Sequence, residues 1–201
     1  ALECRVQEDR ARALDHPYSL AWTLSWGAMV WLHDGQPEAL LPRLHEAQAL
    51  ADAHGYAYVQ AMTQFARGWC QHRLSTGGRA CEGLDAMREG LTAFRATGAG
   101  IVVPFFQTVL AEALVDCAEL GEAHDLLRAA LLQIDLGGER WHEAETHRVL
   151  ARVLLAQTPD DPTPALQALQ RAISVAQAQG ARRGLERAQA LRSTISGPPP
   201  A

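Results

Sequence analysis

With 201 residues, 48% of them hydrophobic and 20% charged, the chain has enough apolar side chain to bury a core and too little polarity for wholesale disorder. Its 23 acidic residues outweigh 18 basic ones, all arginine, and the net charge of -5 offers no basic stripe for a phosphate backbone, which speaks against direct nucleic-acid binding. No apolar run approaches the roughly 20 residues that cross a bilayer, and the charges within Glu3 to Arg10 are unlike a signal peptide, so a soluble, cytoplasmic chain is expected.

The first predicted element is a helix over about 2–14. Because the chain opens on Ala1 inside this helix, residues 1–15 read as the end of a preceding repeat, excised from something longer. Helix pairs follow near 17–34 and 37–54, 57–75 and 79–97, 103–119 and 122–136, and 140–157 and 163–179, with a last helix at about 182–195. Turn signals separate the members of each pair: Gly35-Gln-Pro37, Thr76-Gly-Gly78, Leu120-Gly121, and the run Thr158 to Pro164. Gly197-Pro-Pro-Pro-Ala201 cannot continue a helix, since proline lacks an N–H and clashes with the preceding turn. The domain organisation expected is therefore a leading helix at 1–15, one repeat domain at 16–195 and a Pro-rich tail at 196–201.

The pairs repeat. Second helices close alike, at Gly55, Gly98, Gly138 and Gly180, positions suited to left-handed C′ residues. Each carries a small residue, Ala47, Gly90, Ala130 or Ala172, with Leu44, Met87, Leu127 or Leu169 three positions earlier and Leu40, Gly83, Ala123 or Ala165 seven earlier. That spacing puts them on one helical face. First helices carry a matching small set, Ala28, Gly68, Ala111 and Ala151. Small residues let two backbones approach while Leu or Met fills the gap beside them, so each unit is a helical hairpin.

This pattern resembles the tetratricopeptide repeat: counted from Ala47, Gly35 falls on the motif's turn glycine and Ala28 on its small first-helix site, and Gly78, Met87 and Gly90 repeat the second-helix part. Units of about 40 residues are longer than the usual 34, as in the MalT-like regions at the C-terminal end of large bacterial signalling proteins. More narrowly, His16 to Ala21, Gly68-Trp69, Arg88 to Leu91, Thr97 to Ala99, Leu110 to Glu112 and Gly138 to Arg148 resemble the region that follows the AAA-type ATPase module of predicted ATPases, many of which carry an adenylate or guanylate cyclase domain. The resemblance implies an all-α fold, a right-handed α-solenoid of about four hairpins plus flanking helices. It carries over no catalytic residue.

Catalytic constellations are wanting. His142-Glu143-Ala-Glu145-Thr-His147 approximates a zincin motif, but its second His comes five residues after the first instead of four, which rotates the two rings onto different helix faces. No phosphate-cradling loop is present, and no cofactor or metal is expected. Cys4, Cys70, Cys81 and Cys117 lack metal-ligand spacing and read as thiols in a reducing compartment. Tyr18, Trp22, Trp26 and Trp31 sit at helical spacing and read as packing rather than a ligand cage.

Function then comes from shape. In a stack of hairpins the first helices line a concave face able to take a peptide, a helix or a small ligand. Projection from the small sites selects Trp22, Ser25, His33, Trp69, His72, Arg73, Thr108, Glu112, Asp116, Glu145, Arg148 and Arg152 as groove residues. The bland alternative has Glu145, Arg148 and Arg152 pairing with one another and with Glu112 or Asp116. Two functions are expected: a non-catalytic sensor or protein-interaction module relaying protein, peptide or small-molecule binding to an ATPase or cyclase of the same polypeptide, or a structural spacer or oligomerisation scaffold.

Overall fold

The computed structural model describes residues 2–75 and 81–196. Among them are ten α-helices and no strand: α1 Leu2–Ala13, α2 Pro17–Asp34, α3 Pro37–His54, α4 Ala57–Leu74, α5 Leu84–Ala96, α6 Val103–Asp116, α7 Leu120–Gly137, α8 Glu143–Gln157, α9 Thr163–Gln179 and α10 Arg182–Ser196. They divide into two compact units, Ala1–Gly100 and Ile101–Ala201. The expected Thr76-Gly-Gly78 turn and the Gly197–Ala201 tail lie outside the described residues.

Local chemistry explains the boundaries. Pro17 opens α2, where its missing N–H costs nothing, and the His16 ring accepts the Ser19 N–H at 3.2 Å. Gly35, Gly55, Gly98, Gly138 and Gly180 all take positive φ, as the sequence required for αL stops. The turn assigned to Leu120-Gly121 is a correction: both residues belong to α7, and the chain turns instead at Ala118, φ +59, where the Glu119 N–H bonds back to the Leu114 carbonyl at 2.9 Å. A left-handed alanine gives no composition signal, so the nearby glycine drew the assignment. Likewise α8 starts at Glu143 rather than 140.

In unit 1, α2 packs on α3, α3 on α4 and α4 on α5, with α2 beside α4 and α1 against α2. In unit 2, α6 packs on α7, α7 on α8, α8 on α9 and α9 on α10, with α6 beside α8 and α8 beside α10. The recurring columns are what these contacts bury. Ala28, Gly68, Ala111 and Ala151 are buried, as are Ala47, Gly90, Ala130 and Ala172, and Leu44, Met87, Leu127 and Leu169 are wholly so. Each such Leu or Met contributes about 1.5–3 kcal/mol.

In the α4–α5 pair the two backbones approach closely at glycines. A Cβ on Gly68 would lie 2.5 Å from the Gly83 carbonyl oxygen, and one on Gly90 2.6 Å from the Phe65 nitrogen, so only glycine fits where alanine serves in the other hairpins.

Cys81 and Cys117 are disulfide-bonded, whereas Cys4 and Cys70 are free, Cys70 buried. This corrects the expectation of four thiols. Spacing along a helical chain does not disclose which thiols are oxidised. Burial, aided by Glu38, pushes the Cys70 thiol up to about 12, so it is inert.

Candidate functional site

The projected groove residues of unit 1 lie on α2 and α4. Ser25 is buried and donates to the Trp22 carbonyl at 3.0 Å. Trp69 and His72 are also buried. Trp22, His33 and Arg73 reach solvent, and the Arg73 guanidinium lies 6.0 Å from the Trp69 ring centroid, at the limit of a cation–π contact.

Between α2 and α4 rises a ladder of rings. Tyr18, Trp22 and Trp26 form one rail at helical spacing, with centroids 5.9 and 5.5 Å apart. Tyr56 meets Tyr18 edge-on at 5.2 Å, and Tyr58 stacks on Trp22 at 5.4 Å. Tyr58 also rests on Phe94 of α5. Such pairs add about 0.5–1.5 kcal/mol each beyond area burial. Burial and then Tyr18 push the Tyr58 hydroxyl up to about 12. Trp31, by contrast, is fully buried beneath the guanidinium of Arg43, 4.5 Å from its ring.

In unit 2 the equivalent positions carry charge. Arg148 on α8 donates from Nε to Glu145 Oε2 at 2.7 Å and from Nη2 to Glu112 Oε1 of α6 at 2.6 Å. Arg152 reaches Glu112 Oε1 at 3.2 Å and Asp116 Oδ1 at 2.8 Å. From α10, Arg187 reaches Glu145 Oε2 at 3.2 Å and Glu112 Oε1 at 3.5 Å. Thr108 and Thr146 join the same two helices through their hydroxyls, 2.9 Å apart.

Burial alone would lift the Glu112 carboxyl, but Arg148 above all, with Arg187 and Arg152, outweighs it and holds the group below the usual glutamate range. Arg187 pays the reverse: burial and then the charge of Arg148 lower its pKa. Glu145 and Arg148 are buried, and Glu145 Oε1 has no hydrogen-bond partner among the described residues.

The structure thus brings Glu112, Asp116, Glu145, Arg148 and Arg152 together, in the pairing that the sequence offered as its alternative. Arg187 was missed. Its signal was the buried Ala188 beside it, which makes α10 one more small-site helix against α8.

A second missed feature precedes α8. The Glu139 carboxylate receives the Val102 N–H at 2.9 and 3.0 Å, placing a negative charge at the N-terminus of α6, and also accepts the Trp141 indole N–H at 3.0 Å. Trp141 stacks on Phe105 at 5.2 Å. Val102 is held at φ +59, a strained conformation for a β-branched residue.

His142 lies edge-on to Phe105 at 4.8 Å, while His147 is buried with Nδ1 unpartnered. Among the described residues no group of three or more His, Cys, Asp or Glu is placed to hold a metal ion, and no helix is long and apolar enough to cross a membrane.

These observations define an all-α protein of packed helical hairpins whose first helices are tied together by rings in one unit and by ion pairs in the other. The chain matches no family model, no curated protein and no solved structure.

Proposed function

We propose that the chain is a non-catalytic binding module of tetratricopeptide-like hairpins, arranged as a right-handed α-solenoid and serving a larger signalling protein of the ATPase or cyclase kind. The observation that carries this is the recurrence of buried small and large columns in every hairpin, together with first helices that lie side by side within each unit, α2 with α4 and α6 with α8. The ligand-contacting residues are assigned to unit 1, where Trp22 and Arg73 are exposed. The likeness to MalT-like regions supports a protein, peptide or small-molecule effector as partner. The cytoplasmic placement loses the support of the cysteines, two of which are oxidised.

A thermal-shift screen of the chain against peptides and metabolites is the test. A ligand whose shift is abolished by Trp22→Ala or Arg73→Glu supports the module; turnover in a broad hydrolase screen overturns its non-catalytic part. Small-angle scattering tests the solenoid, which requires a radius of gyration well above the roughly 16–17 Å of a compact chain this long.

One observation favours a scaffold instead. The groove charges of unit 2 are spent on one another, as in a face that holds helices rather than ligands. Under that reading light scattering finds a defined oligomer and the screen finds nothing.

A further inference from the structure

Of the helices α2, α4, α6 and α8, three begin after a residue of ordinary negative φ: His16 at -120, Tyr56 at -81 and His142 at -107. Val102, before α6, stands instead at φ +59 and ψ +3 and is buried. A left-handed backbone crowds any Cβ, and a branched one most. The next residues add to the conflict. Val103 precedes Pro104, whose ring disfavours helical backbone just before it, yet Val103 is the first residue of α6. The first turn of α6, closed by the Phe106 N–H on the Val102 carbonyl at 3.1 Å, is thus wound against local preference, and a contact from elsewhere must hold it.

The Glu139 carboxylate supplies that contact. Both of its oxygens accept the Val102 N–H, at 2.9 and 3.0 Å, and Oε1 also accepts the Trp141 indole N–H at 3.0 Å. Trp141 in turn stacks on Phe105, in the same first turn, at 5.2 Å. The loop that carries Glu139 is pinned independently. Its Arg140 carbonyl accepts the Gln179 side-chain amide at 2.7 Å, and the Arg140 guanidinium reaches Asp135 of α7 at 3.1 Å and Glu143 of α8 at 2.9 Å. One side of the contact is anchored to three helices and the other is strained, so when the contact opens it is Val102 that moves.

We propose that Glu139, oriented by Trp141, is a releasable latch on α6. Bound, it keeps Val102 left-handed and the first turn wound; released, the valine returns to the extended backbone that its branched Cβ favours, and that turn opens while the rest of unit 2 stays folded. Glu139 is a positioning residue in this device. The latch acts on the helix that carries Thr108 and Glu112, and it does not depend on any ligand, so its test and the ligand screen can fail separately.

Native-state hydrogen exchange of the whole chain provides the test, comparing protection of the Val102 and Phe106 amides with that of Leu169 and Ile173 in α9. Glu139→Ala is expected to speed exchange at Val102 and Phe106 at least tenfold and to leave α9 unaltered. Trp141→Phe, which keeps the ring and loses the N–H, should do the same by a smaller factor. Val102→Gly removes the Cβ that resists positive φ; it should slow exchange at Phe106 and, combined with Glu139→Ala, recover part of the protection which that variant loses. Unchanged exchange in Glu139→Ala, or faster exchange at Phe106 in Val102→Gly, would overturn the proposal. Loss of α9 protection together with that of Val102 in Glu139→Ala would overturn it too, since a latch releases only its own turn.

Discussion

Unit 1 and unit 2 solve the same packing problem with opposite chemistry. Where two first helices meet, α2 and α4 are joined by a ladder of tyrosine and tryptophan rings, and α6 and α8 by guanidinium–carboxylate pairs that α10 completes through Arg187. The small columns beneath are the same. A hairpin frame thus leaves the bond between first helices free to vary, but the two kinds fail differently. Ring contacts are largely additive, whereas a buried ion network needs every member, because a charge left alone in the interior costs more than the pair contributes.

The sharpest contrast should come from Arg148. Arg148→Ala leaves the buried Glu145 with only the half-exposed Arg187 as ion-pair partner and is expected to cost up to about 3–5 kcal/mol by urea denaturation. The double replacement Glu145→Leu with Arg148→Met should restore most of that stability. A neutral single variant would break the comparison.

Next comes the close hairpin of unit 1. Gly90→Ala places a Cβ against the Phe65 backbone and should cost about 1–3 kcal/mol; the mirror change in unit 2, Ala130→Gly, should cost only about 1 kcal/mol through helix propensity. Equal effects would mean that the two hairpins are packed alike.

A smaller effect, about 1–2 kcal/mol, is expected for Trp22→Ala. It should be nearly independent of salt, whereas the contribution of the half-exposed Arg152 pairs should fade as salt rises. Thermal melts of Trp22→Ala and Arg152→Gln at low and high ionic strength separate the two.

The smallest effect is titration. Burial lowers the His147 pKa from the ordinary 6.5, so on acidification the unfolded chain binds this proton first. The stability due to neutral His147 is complete above the ordinary histidine value and is lost as the pH falls from there toward the lowered folded value. Glu112, held below the glutamate range, is lost in a separate and lower window. His147→Leu should flatten the first decline in melting temperature and leave the second.

Much of the frame was legible because it rests on periodicity. Spacings of three and four fixed the faces, and the αL glycines fixed the helix ends; α2, α3 and α9 begin and end where the spacing put them. What escaped depended on contacts between residues far apart in sequence. Arg187 joins Glu112 and Glu145, and the Glu139 carboxylate caps α6 from the loop before α8, neither of which a local pattern encodes. The groove projection chose by register alone. It could not distinguish Arg73, which is exposed, from Arg148, which is buried under two carboxylates.

The central claim is that one small residue per first helix seats every hairpin in both units. Ala28→Leu, Gly68→Leu, Ala111→Leu and Ala151→Leu, compared by urea denaturation, test it directly. Each should lower stability by at least about 1–3 kcal/mol, since none of the four sites has room for an isobutyl group. A variant that unfolds with the wild type at any one site would show that the column is a coincidence of sequence there and not the seat of the fold.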